Sequence, residues 1–167
     1  MNEIILIGAG GHARACIEVI ESGGQYKIAG LVEKDEIIDE KKIGYPIIGV
    51  DEDLETLRQK YTYALVTVGQ IKSPKTRIKI YKTLKKLEYQ LPVVISSSAY
   101  LSKYTEIYEG TIIMHGALLN AGVEIGANCI INNMALVEHD VKIGNHCHIA
   151  TGAILNGEIQ VGEGTFI

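Results

Sequence analysis

Residues 130–154 read IINNMALVEHDVKIGNHCHIATGAI, and in this stretch branched aliphatics return every sixth residue, at Ile131, Val137, Ile143 and Ile149. No helix has a period of six, and an ordinary alternating strand does not shift its inward set in this way. The period runs well beyond the quoted residues. Ile95, Leu101, Ile107, Ile113, Leu119, Ile125, Ile131, Val137, Ile143, Ile149, Leu155, Val161 and Ile167 hold one register without a miss. Four places after each comes a small or modest side chain: Ala99, Thr105, Thr111, Ala117, Val123, Cys129, Ala135, Val141, Cys147, Ala153, Ile159 and Thr165. A second period overlies the first, because Ile125-Gly126, Ile143-Gly144 and Val161-Gly162 lie eighteen residues apart. Three hexads then make one turn of a triangular β-helix, with the aliphatics filling the interior. Neighbouring coils stack about 4.8 Å apart, and twelve complete hexads predict four coils. Cys129 and Cys147 fall on one inward rung and read as core residues.

The first half has a different grammar. Ile4 to Ile7 is a short apolar run, as in a strand covered on both faces. Gly11 to about Ser22 reads as a helix with Ala15, Val19 and Ile20 inward, ended by Gly23-Gly24. Lys27 to Val32 and Tyr63 to Val68 read as further strands. Asp51 is placed as the N-cap of a helix running to Lys60, and Ser73-Pro74 as the start of a basic helix to about Tyr89. On that last helix Ile78, Tyr81, Leu84 and Leu87 form the expected apolar stripe. Lys72, Lys75, Arg77, Lys79, Lys82, Lys85 and Lys86 are expected to be a solvated face. Strands alternating with helices predict a short Rossmann-like parallel sheet. The division expected is an α/β domain over 1–94 and an all-β domain over 95–167.

Gly8-Ala-Gly-Gly-His-Ala13 fits the fingerprint G-x-G-x-x-A after a strand and before a helix. Ligands of such sheets sit beyond the carboxyl ends of the strands. That edge gathers Gly8, Gly10, Gly11, His12, Glu33, Gly69 and Gln70 as candidate substrate-binding residues. The glycines admit a phosphate to a helix N-terminus, and Glu33 can accept a hydrogen bond from a ribose or base. A tight turn without a ligand remains open. The half is short for a full dinucleotide fold, so a mononucleotide fits better than a nicotinamide cofactor.

With 16 basic and 20 acidic residues the formal charge is −4, which gives no general reason to expect binding to nucleic acid or an anionic membrane. The apolar runs are far short of the ~20 residues of a membrane span, and Met1-Asn2-Glu3 lacks the basic start of a signal peptide. A cytoplasmic protein is expected. The three cysteines, Cys16, Cys129 and Cys147, read as free thiols. His146-Cys147-His148 suggests a metal site, but the register turns Cys147 indoors between two outward histidines, so no metal is expected. Ile167 opens a new hexad with no cap after it, and the native chain is expected to continue.

The thirteen-position register resembles the left-handed β-helix acyltransferases, the hexapeptide-repeat family, over the whole second half. Together with GAGGHA, the TVGQ at Thr67–Gln70 and the quoted stretch, the combination resembles the bacterial sugar acetyltransferases of the NeuD/PglD type. That resemblance implies a left-handed prism and a nucleotide sugar on the first domain. It also implies acetyl-CoA as co-substrate in a groove between β-helices of a homotrimer. It places the general base on His139 and its orienting acid on Asp140. Asn132, Glu138 and His148 match polar positions lining the family's site, with His148 near the acetyl donor. Gly157, eighteen residues after His139, matches a glycine whose amide faces the thioester oxygen. The activity implied is acetylation of the 4-amino group of a UDP-linked amino-dideoxy sugar. O-acetylation of a sialic acid or related sugar is the alternative; an NAD-dependent oxidoreductase and a non-catalytic nucleotide-binding scaffold rank below both. Relatives often have His or Pro where Ser96-Ser97-Ser98 begins the repeat, which leaves sugar contacts there open.

Overall fold

The computed structural model describes residues 1–33 and 44–167. Strand β1 (Asn2–Ile7) alternates its side chains: Ile4 and Leu6 enter one apolar cluster, Ile5 and Ile7 another. Helix α1 (Gly11–Gly23), β2 (Tyr26–Val32), β3 (Ile47–Gly49), a short 3-10 turn (Asp51–Asp53), α2 (Leu54–Arg58), β4 (Tyr63–Val66) and α3 (Lys75–Lys86) follow. The sheet is parallel with strand order β3-β2-β1-β4. Helix α1 covers one side of it, and α2 and α3 cover the other. Among the described residues, no helix is long and apolar enough to cross a membrane.

Twelve two-residue strands then wind into a β-helix of three parallel four-stranded sheets. One face holds β5 (Val94–Ile95), β8 (Ile112–Ile113), β11 (Ile130–Ile131) and β14 (His148–Ile149). The next holds β6 (Tyr100–Leu101), β9 (Leu118–Leu119), β12 (Leu136–Val137) and β15 (Ile154–Leu155). The last holds β7 (Glu106–Ile107), β10 (Glu124–Ile125), β13 (Lys142–Ile143) and β16 (Gln160–Val161). Every pairing steps by eighteen residues, as Ile125 on Ile143 and Val137 on Leu155. The hexad aliphatics from Ile113 to Ile149 are fully buried or nearly so and form one continuous core with Ala117, Val123, Cys129, Ala135, Val141 and Cys147. Burial of each such aliphatic stabilises by roughly 1.5–3 kcal/mol.

From Gly110 onward each corner of the prism turns through a left-handed residue three places after the inward aliphatic. Gly110, Gly116, Gly122, Asn128, Met134, Asp140, His146, Gly152, Glu158 and Gly164 have φ between 56° and 76° in ten successive hexads. Among non-glycine residues that conformation favours Asn, Asp and His, so Met134 and Glu158 hold it against preference.

The three outward surfaces differ. On the first face Val94, Ile112, Met114 and Ile130 pack against Ala13, Cys16, Ile17 and Ile20 of α1, so this face is docked to the α/β unit. The second presents Tyr100, Leu118, Leu136 and Ile154, of which Tyr100 and Ile154 are 60% and 63% exposed. The third presents Glu106, Glu124, Lys142 and Gln160, with Lys142 paired to Glu124 at 2.9 Å.

Several details depart from the sequence expectation. The buried positions of α1 are Ala13, Cys16, Ile17, Val19 and Ile20; Ala15 is only partly covered. Asp51 opens a 3-10 turn rather than capping a helix, and it is Asp53 whose carboxylate accepts from the Val50 N–H at 2.9 Å. Strand β3 was not expected, because three residues carry no periodicity. Strand β4 ends at Val66, and α3 runs from Lys75 to Lys86 with Pro74 just ahead of its first turn. On α3 the inward side chains are Arg77, Ile80, Tyr81, Leu84 and Leu87. Arg77, expected in solvent, is 1% exposed.

Candidate functional site

Gly8 ends β1 with φ 111°, and a Cβ there would lie 2.6 Å from Val68 Cγ2, so only glycine lets the chain turn here. The Thr67 hydroxyl donates to the Gly8 carbonyl at 2.6 Å and ties the end of β4 to the loop. The Ala9 N–H donates to a Glu33 carboxylate oxygen at 2.8 Å. Gly10 and Gly11 lead into α1, and a Cβ on either would meet no protein atom within 4 Å. The loop is therefore open on the side where a ligand can approach. Glu33 and the glycines converge at this edge as the sequence predicts.

His12, in the first turn of α1, lies under Gly69, with the position of a Gly69 Cβ 3.4 Å from His12 Cβ. Its Nε2 is buried and has no hydrogen-bond partner. Burial, the Arg77 guanidinium and His148 together push its pKa down to about 3, which keeps the ring neutral. The His12 and His148 rings are 6.4 Å apart. His148 Nδ1 bonds to the Gln70 carbonyl at 2.5 Å and its Nε2 to Asn132 Nδ2 at 3.0 Å. The Gln70 side-chain amide donates to the His146 carbonyl at 3.0 Å. Gly69, Gln70, His12, His148 and Asn132 thus form one cluster, at the seam between the sheet edge and the docked face.

His139 and Asp140 lie elsewhere, at the corner between the second and third faces. His139 Nδ1 bonds to Asp140 Oδ2 at 2.9 Å, and this bond raises the imidazole pKa above its ordinary value. Asp140 has φ 60° and packs on Gly122 in the coil before, where a larger residue would strike its carboxylate. One coil on, a Cβ at Gly157 would lie 2.6 Å from His139 Nε2 and 2.7 Å from Cε1, so the imidazole lies directly over this glycine. Glu138 accepts from Asn120 Nδ2 at 2.7 Å beside the pair. The corner therefore presents an exposed, oriented imidazole whose Nε2 is free to take a proton.

The predicted site residues accordingly form two groups in one chain. His139, Asp140, Glu138 and Gly157 occupy one corner. Asn132 and His148, expected beside them, belong with His12 and Gln70 on the docked face. His146 also points out of the prism, yet it is 6% exposed because the α/β unit covers it, and its Nδ1 bonds to Asn128 Nδ2 at 2.9 Å. The residues missed are Arg77, Thr67, Asn128 and Asn120. Asn120 and Asn128 were findable, since they lie eighteen places before Glu138 and His146. Among the described residues, no group of His, Cys, Asp or Glu is arranged to hold a metal ion.

Comparison with known proteins extends these observations. Residues 3–84 match the PglD N-terminal domain, and residues 122–157 match the bacterial transferase hexapeptide (six repeats). Nothing among the curated proteins matches. Among solved structures, a mutant of perosamine N-acetyltransferase from Caulobacter crescentus, in complex with CoA and GDP-perosamine, is 27% identical with a TM-score of 0.85. That match covers 98% of this chain and 84% of the other. The acetyltransferase domain of PglB from Neisseria gonorrhoeae FA1090 is 25% identical with a TM-score of 0.80, covering 100% and 91%. WeeI from Acinetobacter baumannii AYE shares the fold at 24% identity and a TM-score of 0.77, covering 97% and 76%. The chain is thus an acetyltransferase that joins a PglD N-terminal domain to a hexapeptide-repeat β-helix, the combination that in sequence resembles the NeuD/PglD type.

Proposed function

We propose that this chain acetylates the 4-amino group of a UDP-linked amino-dideoxy sugar in the cytoplasm, with acetyl-CoA as donor and His139 as general base. The observation that carries the reading is the His139 imidazole, held by Asp140 at 2.9 Å and laid over Gly157. The amine attacks the thioester carbonyl, His139 Nε2 takes the ammonium proton, and the CoA thiolate departs and is protonated. The Gly157 N–H is the proposed partner of the oxyanion, and Asp140 stabilises the imidazolium that forms. No side chain at the corner is placed to accept the acetyl group, so transfer is direct. The glycine loop with Glu33 is the proposed seat of the nucleotide diphosphate and ribose. A GDP-linked sugar is the second reading, favoured by the Caulobacter N-acetyltransferase, whose complex holds CoA and GDP-perosamine.

His148 and Asn132 on the docked face face away from the corner of the same chain that carries His139. A homotrimer reconciles the two groups. Its proposed interface is the apolar face with Tyr100, Leu118, Leu136 and Ile154, which separates the His139 corner from the corner bordering the docked face. Burying that face around a three-fold axis sets the His139 corner of one copy against the nucleotide-bearing side of the next. The test is a panel of UDP- and GDP-linked 4-amino sugars and sialic acids with acetyl-CoA, read by thiol release. Turnover on a 4-amino nucleotide sugar is expected, and His139→Ala should lower kcat by about 10²–10⁴. Turnover confined to sialic acid, or a near-normal His139→Ala variant, would overturn the acceptor or the base respectively.

A further inference from the structure

Among the described residues, Arg77 is the only Lys, Arg, Asp or Glu that is buried. Its guanidinium donates to the Val66 carbonyl at 2.9 Å, the Val68 carbonyl at 2.8 Å and, across the seam, the Asn128 carbonyl at 3.5 Å. No carboxylate pairs with it among the described residues, and its Nε has no partner. Backbone carbonyls solvate a cation but do not neutralise it, and an uncompensated buried charge is costly to keep. A fold that retains such a charge has a use for it.

Its position indicates that use. Val66 and Val68 flank Thr67, whose hydroxyl holds the Gly8 carbonyl at 2.6 Å, and the Val68 side chain lies where a Cβ on Gly8 would be. The guanidinium therefore stands directly behind the wall of the glycine loop. Its field is felt there, since Arg77 follows only burial among the causes that keep His12 neutral. Away from water that field is weakly screened.

We infer that Arg77 is a positioning residue for the nucleotide: its forked donors fix the loop wall on the β-helix, and its unneutralised charge is left for the ligand's diphosphate. The inference rests on the nucleotide-sugar reading above. Arg77 touches no ligand in this scheme, and its effect should grow with the number of phosphates.

Calorimetric titration of UMP, UDP, GMP and GDP into the full chain tests it, with Lys79→Ala as an exposed control. For Arg77→Met the preference for diphosphate over monophosphate should fall about tenfold, as expected when a weakly screened charge is lost. Arg77→Lys should restore that preference while binding both ligands more weakly, because a lysine cannot span the same carbonyls. A purely structural arginine would weaken both ligands equally and leave the preference unchanged, and that result overturns the assignment. If Arg77→Met loses its far-UV circular dichroism, Arg77→Gln, which keeps donors without charge, must show the same loss of preference. Wild-type protein that binds neither diphosphate would overturn the nucleotide reading together with this one. Wild-type binding with an unchanged preference in the variants overturns the Arg77 assignment alone.

Discussion

Substituting Gly157 by alanine separates the geometry of the base from its chemistry. The backbone at Gly157 is not left-handed, so alanine is tolerated there, and the amide N–H remains. The added methyl would lie 2.6 Å from His139 Nε2, whereas ordinary contact begins near 3.4 Å. The imidazole must retreat by about 0.8 Å, and its exposed side chain leaves room to do so. Misplacement of a reacting group by about 1 Å can cost on the order of 10²-fold in rate. The expected outcome is a kcat reduced about 100-fold, measured by thiol release at saturating acetyl-CoA and sugar. The melting temperature should stay within about 2 °C of wild type, since nothing in the core is disturbed. Turnover within threefold of wild type, with the protein folded, would refute the placement of His139 over Gly157 as a working element of the site.

Gly10→Val should leave the fold intact, because a Cβ there meets no protein atom within 4 Å, while raising the KM for the nucleotide sugar and sparing that for acetyl-CoA; unchanged sugar kinetics would remove the loop from the site. Because Asp140 raises the His139 pKa, the acid limb of kcat/KM should lie above the ordinary imidazole value of about 6.5, and Asp140→Asn should move it down. A limb that stays put or moves up contradicts this coupling. His12, His146 and His148 all have folded pKa values below the unfolded one, so the unfolded chain binds more protons and stability is lost as pH falls from about 6.5 towards 3. The melting temperature should therefore be lower at pH 5 than at pH 7.5, and an equal or higher value would count against a neutral seam. Ile154→Glu changes a side chain already 63% exposed, so it should spare the fold yet lower the light-scattering mass from that of a trimer; a wild-type mass of one chain would refute the interface.

The β-helix was legible because its period is enforced at every hexad: an inward aliphatic cannot move one place without leaving the core. The same register put Gly157 over His139, a contact 18 residues apart in sequence and adjacent in space. What the register could not convey is which outward surface another domain covers. His146 and His148 point outward from the prism as expected, and both are buried because the α/β unit docks on them. On α3, a stripe at Ile78, Tyr81, Leu84 and Leu87 advances by three residues, which drifts about 60° per step from a 3.6-residue helix. The face that is buried instead runs through Arg77, Ile80, Tyr81, Leu84 and Leu87. A basic residue in a basic helix gives no local sign of burial, since only the carbonyls of Val66, Val68 and Asn128 make its place tenable.

The residue just before each inward aliphatic carries more information than the aliphatic itself. Read down the three faces, these residues are Val94, Ile112, Ile130 and His148; then Tyr100, Leu118, Leu136 and Ile154; then Glu106, Glu124, Lys142 and Gln160. An apolar ladder on a solenoid face requires a cover, and two of the three ladders are apolar over most of their length. The first is covered by α1, and where it turns polar, at His148, it meets the glycine-loop edge through Gln70. Among the described residues the second has no cover, and the His139 corner lies along one of its borders. In the homotrimer proposed above, a copy of the same chain would supply the matching apolar ladder. The proposed catalytic pair, His139 and Asp140, then lies where that second surface would bring a neighbour's nucleotide seam. In that arrangement each chain would lend its His139 to one neighbour's nucleotide seam and receive another neighbour's His139 at its own seam, which would account for a corner and a seam that never meet within a single copy.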